Sequence, residues 1–160
     1  MLLRIRNAFS MLELIFIIII IGILFSVAVP RFVVTRDDAM IIKAKTTIAS
    51  VRSAMAREKQ RRILEGKFTD IVALDSGKAN LVNSPIFDKF DREITTSNIL
   101  EYPLITCVDA NARGCWIRES ENYVYRMPSV SNVLFKVINN RFICMNTDKR
   151  SSANCKLLTQ

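Results

Sequence analysis

Polarity along the chain follows three successive patterns. From Phe9 to Pro30 the residues are almost uniformly apolar; Glu13 is the only ionisable side chain, and Ile15, Ile17 to Ile21 and Ile23 crowd the centre. As a helix this run rises about 33 Å, close to the hydrocarbon thickness of a bilayer, and it predicts a membrane helix over 9–30. From Arg31 to Glu65 the uniformity gives way to periodicity. Ile41, Ala44, Ile48, Val51 and Met55 recur at three and four residues, one apolar stripe among basic neighbours such as Lys43, Arg52 and Lys59. Gly66 is placed to cap it. Residues 31–66 thus read as an amphipathic continuation of the same helix, about 85 Å in all if unbroken. Gly22 and Pro30 weaken it locally, because proline removes a backbone donor and crowds the preceding turn. The result is either a functional kink or one merely tolerated within a long helix.

The third pattern begins poorly. Phe68–Leu74 fits a short helix or a strand, Asp75-Ser76-Gly77-Lys78 a turn, and Ser84-Pro85 the opening of a short helical turn through Phe90. From Ile99 the signals are β. Leu100, Tyr102, Leu104 and Thr106 alternate, with Pro103 demoting the segment to an edge or broken strand. Cys115–Glu119 and Tyr123–Met127 flank a turn at Ser120-Glu121-Asn122; Val133–Ile138 and Arg141–Met145 flank Asn139-Asn140, a pair suited to a type I′ turn. The predicted fold class is α+β: a long N-terminal helix against a small antiparallel sheet that forms a head over 67–160. The helix stripe serves either to seat that head or to contact a neighbouring subunit.

Charge refines the picture. The 160 residues carry a net +8, and the excess is local. Residues 31–65 hold nine basic against four acidic side chains, whereas 66–160 hold twelve against ten. The basic stem is a solvated face, a contact to anionic lipid headgroups or a phosphate track; aromatics are not interleaved with it, which argues against nucleic acid. Arg4 and Arg6 precede the apolar run, placing that end in the cytoplasm and the rest across the membrane. On the exported side lie Cys107, Cys115, Cys144 and Cys155, an even number that reads as disulfides. Three pairings are open; Cys107–Cys115 with Cys144–Cys155 is favoured because each closes a short loop after a predicted strand. Trp116 beside Cys115 reads as core packing against a disulfide rather than as a ligand platform.

Little of the sequence points to catalysis or metal. With no histidine and no C-x-x-C, neither His-based acid–base chemistry nor a zinc site has its residues. Asp109 to Gly114 opens like a calcium loop, but Arg113 falls on a liganding position and Ser120 stands where a bidentate Glu belongs. No glycine-rich phosphate loop occurs. The chain is therefore not read as an enzyme, and no cofactor is predicted.

Glu13 is the informative residue. A carboxylate within an apolar span costs on the order of 2.5–3.5 kcal/mol on insertion scales and calls for a partner. The plainer account is an acid near a helix N-terminus, favoured by the dipole and reaching toward headgroups. A basic leader, a small residue, Phe9, an acid at Glu13, an apolar helix and Pro30 at its end together resemble the N-terminus of type IV pilins and type II secretion pseudopilins. A secretory signal cut after Ser26-Val27-Ala28 is the competing expectation; Glu13 and the amphipathic continuation argue against it.

The resemblance implies a leader over 1–8, cut by a prepilin peptidase between Ala8 and Phe9, and N-methylation of Phe9. The family usually has glycine before the cut; Ala8 is also small. It implies that Glu13 meets the positive amine of a neighbouring subunit's Phe9 during assembly. It implies a bacterial inner-membrane protein with a cytoplasmic N-terminus and a periplasmic head. Such a chain polymerises with other pilin-like subunits, through an inner-membrane assembly platform, into a type II secretion pseudopilus or a type IV pilus serving protein secretion or DNA uptake. The alternative is a minor pilin whose head binds DNA or a substrate in natural transformation.

Overall fold

The computed structural model describes residues 10–93, 97–109, 111–128, 131–145 and 149–160, with the backbone alone at 27–35 and 149–151. The chain divides between Asp38 and Ala39 into two units. Helix α1, Met11–Leu64, contributes to both and remains helical at Gly22 and Pro30.

In the first unit the side chains from Met11 to Ser26 are all exposed, Ile18 at 60% and Phe25 at 65% among them. Among the described residues no helix is long and apolar enough to cross a membrane. The described side chains of the apolar run end at Ser26, short of Pro30.

The second unit has a core, and the predicted stripe supplies one wall of it. Ala44, Ile48, Val51, Ala54 and Met55 are buried, and Ile41 packs against them. The helix stops where the sequence says it should. Gly66 adopts φ 73°, its N–H donating to the Ile63 carbonyl at 3.0 Å, while Lys67 N–H donates to the Arg62 carbonyl at 2.8 Å. This 6→1 and 5→2 pair is the Schellman arrangement, which needs a residue free to take positive φ.

Between helix and main sheet runs a long connection. Phe68–Leu74 forms neither helix nor strand. Ser84-Pro85 opens a strand rather than a helical turn: β1, Pro85–Ile86, pairs antiparallel with β2, Leu104–Ile105. Proline at the first residue of a short strand gives up no ladder donor that matters. The strand expected over Leu100–Thr106 shrinks to β2, since Pro103 interrupts it.

The main sheet is an antiparallel meander of β3, Cys115–Glu119, β4, Asn122–Arg126, β5, Asn132–Ile138, and β6, Arg141–Cys144, in that spatial order. Both predicted hairpins form with two-residue turns. Asn139 and Asn140 sit at φ 50° and 59°, the left-handed pair that a type I′ turn requires. At the other hairpin Glu119 faces Asn122, and Ser120 takes φ 56°. The sheet covers apolar ground on both faces. Toward α1 lie Trp116, Tyr123, Tyr125, Val133, Phe135 and Phe142, joined by Phe87 with ring centroids 4.9–6.2 Å apart. Ring pairs of this kind add about 0.5–1.5 kcal/mol each beyond their burial. On the other face Cys107, Ile117 and Val124 form a smaller cluster with Ala112, Cys115 and Leu134. Successive strand residues point to opposite faces. Trp116 therefore packs in the core as expected, on the face of the sheet opposite the Cys107–Cys115 cluster.

Both sheet edges make hydrogen bonds to the elements beside them. On β3, Trp116 C=O accepts Cys107 N–H at 2.9 Å and Arg118 N–H donates to Ala79 C=O at 2.8 Å. On β6, Arg52 Nε of α1 donates to the Phe142 carbonyl at 3.1 Å. An edge strand left bare is a template for unwanted pairing, and here loop and helix close it. A second helix, α2, Lys149–Thr159, follows, where the sequence pattern carried no reading, and it packs against β5.

Candidate functional site

The first candidate is the start of α1. Leu14 N–H donates to the Ser10 carbonyl at 3.1 Å, so Ser10 stands at the N-cap and Glu13 in the first turn. Ser10-Met11-Leu12-Glu13 matches a capping-box sequence, and an acid here is favoured by the helix dipole. Yet Glu13 makes no hydrogen bond or ion pair among the described residues. It lies exposed, ringed by Leu12, Leu14, Phe16 and Ile17, exposed by 40–79%. Gly22 is also open; a Cβ there would meet nothing within 4 Å. Ala8 and Phe9 lie outside the described residues, as do the side chains about Pro30.

In the second unit every buried carboxylate is accounted for. Asp75 is fully buried. Arg118 Nη1 donates to both its oxygens at 2.8 and 3.0 Å, Tyr123 O–H donates at 2.6 Å, and Gly77 N–H donates at 2.7 Å. Tyr123 Oη in turn accepts Leu74 N–H at 2.7 Å. Burial, then the charge of Asp75, push the Tyr123 phenol up, so it remains a donor at any physiological pH. Burial likewise pushes Tyr125 up to about 12; its hydroxyl donates to the Met40 carbonyl of α1 at 2.8 Å.

A second network ties α1 to the connection. Arg62 donates to Glu58 at 2.8 Å and to Asp91 at 2.5 Å, while Asp91 accepts the N–H groups of Val72 and Ala73 at 2.6 and 3.0 Å. Burial alone would raise the Glu58 carboxyl, but hydrogen bonds from Arg61 and Arg62 outweigh it and hold it below its ordinary range. Asp88 accepts Ser76 N–H at 2.9 Å. Buried and half-buried acids thus hold an irregular segment that has few ladder bonds of its own. Sequence inspection missed them because Asp75, Asp88 and Asp91 sit among turn residues, where an acid reads as solvated.

The four cysteines form two disulfides. Cys107 joins Cys115, and Cys144 joins Cys155, which lies on α2. The first closes the loop over the outer sheet face; the second fastens α2, whose buried side chains are Cys155 and Leu158. Within the first loop Asn111 N–H donates to Asp109 Oδ1 at 2.7 Å, an Asx turn. Among the described residues no cluster of acids and cysteines could hold a metal ion.

Of the clefts on the second unit, two bear on function. One, of about 490 Å³, is walled by Asp91, Arg92, Arg118, Glu121 and Lys136; apart from Arg92 these charges are already used: Asp91 by Arg62, Arg118 by Asp75, Lys136 by Glu121 at 2.7 Å. The other, of about 440 Å³, lies between α1 and the β5–β6 hairpin. Its cations are Arg52, Lys59 and Arg141, its floor Met55, Phe142 and Ile143, and no carboxylate lines it.

Over 50 residues, 31% of this chain, the sequence is 50% identical to the Type IV narrow pilus major component PilA5 of Thermus thermophilus. Those residues are 43% of that protein, so the chain spans less than half its relative's length. The similarity supports kinship with type IV pilus components. No family profile and no solved structure matches the chain.

Proposed function

We propose that the chain is a structural subunit that polymerises through its N-terminal helix into a type IV pilus or a type II secretion pseudopilus and displays the disulfide-bonded head on the outside. One observation carries this most. From Met11 to Ser26 the helix leaves every side chain exposed, with Glu13 among them, while in the head the buried carboxylates of Glu58, Asp75 and Asp88 all accept hydrogen bonds from their own chain. Apolar surface of that extent needs lipid or other helices to cover it. The similarity to a type IV pilus component favours both in turn: lipid before assembly, neighbouring subunits after.

In this account residues 9–30 hold the subunit in the bacterial inner membrane, with its head periplasmic. Prepilin peptidase cuts between Ala8 and Phe9 and methylates the new amine. Glu13 of one subunit and the Phe9 amine of the next neutralise each other in apolar surroundings, where either alone would be costly. Gly22 and Pro30 give the helix places to bend as it leaves the bilayer for the filament. The inner-membrane platform supplies the work of assembly, and protein secretion or DNA uptake is the process served.

Mass spectrometry of the native chain tests the processing. A terminus at N-methylated Phe9, in a sheared filament fraction, is the expected result. A chain that begins at Met1, or at a residue after Ala28, overturns it.

A further inference from the structure

Charge on α1 repeats at heptad spacing: Asp38, Lys45, Arg52 and Lys59. Residues seven apart lie near one side of a helix, drifting about 20° per heptad. Two parallel copies of α1 in register would set Asp38 against Asp38 and Arg52 against Arg52. Juxtaposed like charges disfavour that register; a shift by two heptads sets Asp38 against Arg52, an attractive pair, while Lys45 then meets Lys59. The groove beside β6 shows where the cations gather. Arg52 and Lys59 reach it from α1 and Arg141 from β6. Lys59 and Arg141 make no hydrogen bond or ion pair among the described residues. Burial pushes the Arg52 guanidinium down from its ordinary value, so an anion there would relieve a desolvated cation.

The chain holds one matching segment. Asp37-Asp38 is its single pair of adjacent acids, and both are exposed without an ion pair among the described residues. Ile42, 62% exposed, follows Asp38 by four residues and so shares its side of the helix. Two carboxylates and an aliphatic group thus complement three cations over an apolar floor.

We propose that the Asp37-Asp38-Ile42 face of a second copy of this chain docks in the groove of Arg52, Lys59 and Arg141, setting an axial stagger of about two heptads between the two copies. The proposal rests on the filament role given above. Acidic face and basic groove are different surfaces of the same chain, so the contact is heterologous and extends into an open filament instead of closing a dimer. Fourteen residues of helix rise about 21 Å, against about 6 Å for the four from Phe9 to Glu13. The groove therefore addresses a neighbour farther along the filament than the one that meets Glu13.

The test uses the full chain in cells that carry the assembly machinery, with a photoreactive amino acid substituted at Ile143 on the groove floor. Irradiation is expected to join two copies through the tryptic peptide Asp37–Lys43. Lys59→Glu with Arg141→Glu should cut that adduct about tenfold or more, and Asp37→Lys with Asp38→Lys in the same chain should restore it. Arg52 is left alone because it bonds the Phe142 carbonyl. Adducts to another segment of a second copy, or to nucleic acid, overturn this contact while leaving the filament role standing. Chains that form no self-adducts and stay monomeric overturn both.

Discussion

The two halves of α1 treat charge in opposite ways. In the second half Glu58 receives hydrogen bonds from Arg61 and Arg62, and beyond the helix Asp75 is held by Arg118, Tyr123 and Gly77. In the first half Glu13 stands exposed among apolar side chains with no partner among the described residues. One half is completed by its own chain. The other is not, and the proposed filament role accounts for that asymmetry: a head that completes itself and a stem that neighbouring subunits would complete.

If the head is self-sufficient, its internal charges should dominate its stability. Asp75→Ala strands the Arg118 guanidinium in the core, and breaking a buried pair in this way costs about 3–5 kcal/mol. Thermal unfolding of the full chain in detergent should show the largest fall in Tm for this variant. Less protection comes from the Cys107–Cys115 loop. Replacing both cysteines with serine should cost about 2–3 kcal/mol in the same assay, and reductant should abolish the difference between variant and parent once Cys144–Cys155 is accounted for by its own double variant.

Acid provides a finer probe. The folded-state pKa of Glu58 is depressed, so its contribution is complete above the unfolded value of about 4.3 and is lost as pH falls through the folded one. Unfolding midpoints between pH 7 and 2 should therefore drop at the acid end, and Glu58→Gln should flatten that drop while lowering stability at neutral pH. Smallest of all, Asn139→Ala forces an alanine to φ 50° and should cost roughly 1 kcal/mol, whereas Ile18→Ala in the stem should leave the head's midpoint within about 0.5 kcal/mol of the parent. A stem substitution that unfolds the head would break the contrast.

How far the sequence could be read follows the same division. The stripe from Ile41 to Met55, the cap at Gly66 and the Asn139-Asn140 turn were legible because helix period, positive φ and turn chemistry are local properties. The connection from Lys67 to Cys107 was not. Its order comes from Asp88 and Asp91 accepting backbone N–H groups 12 to 19 residues away and from Asp75 accepting the Arg118 guanidinium 43 residues away, contacts that no short window contains. Helix α2 escaped because, among its described side chains, Lys149–Thr159 buries only Cys155 and Leu158; a disulfide supplies the anchoring that an apolar face would otherwise signal. At the candidate site Glu13 was legible from polarity alone, since a single acid in an apolar run has no neighbour to disguise it. The basic groove was not, because Arg141 joins Arg52 and Lys59 only when β6 lies along α1.

The most direct test replaces Glu13 with leucine in the full chain and measures, in the same cells, the amount of subunit in sheared filaments and the unfolding midpoint of the purified protein. The account predicts that filaments are lost while the head melts as in the parent. Filaments that form at parental yield with leucine at this position would contradict it.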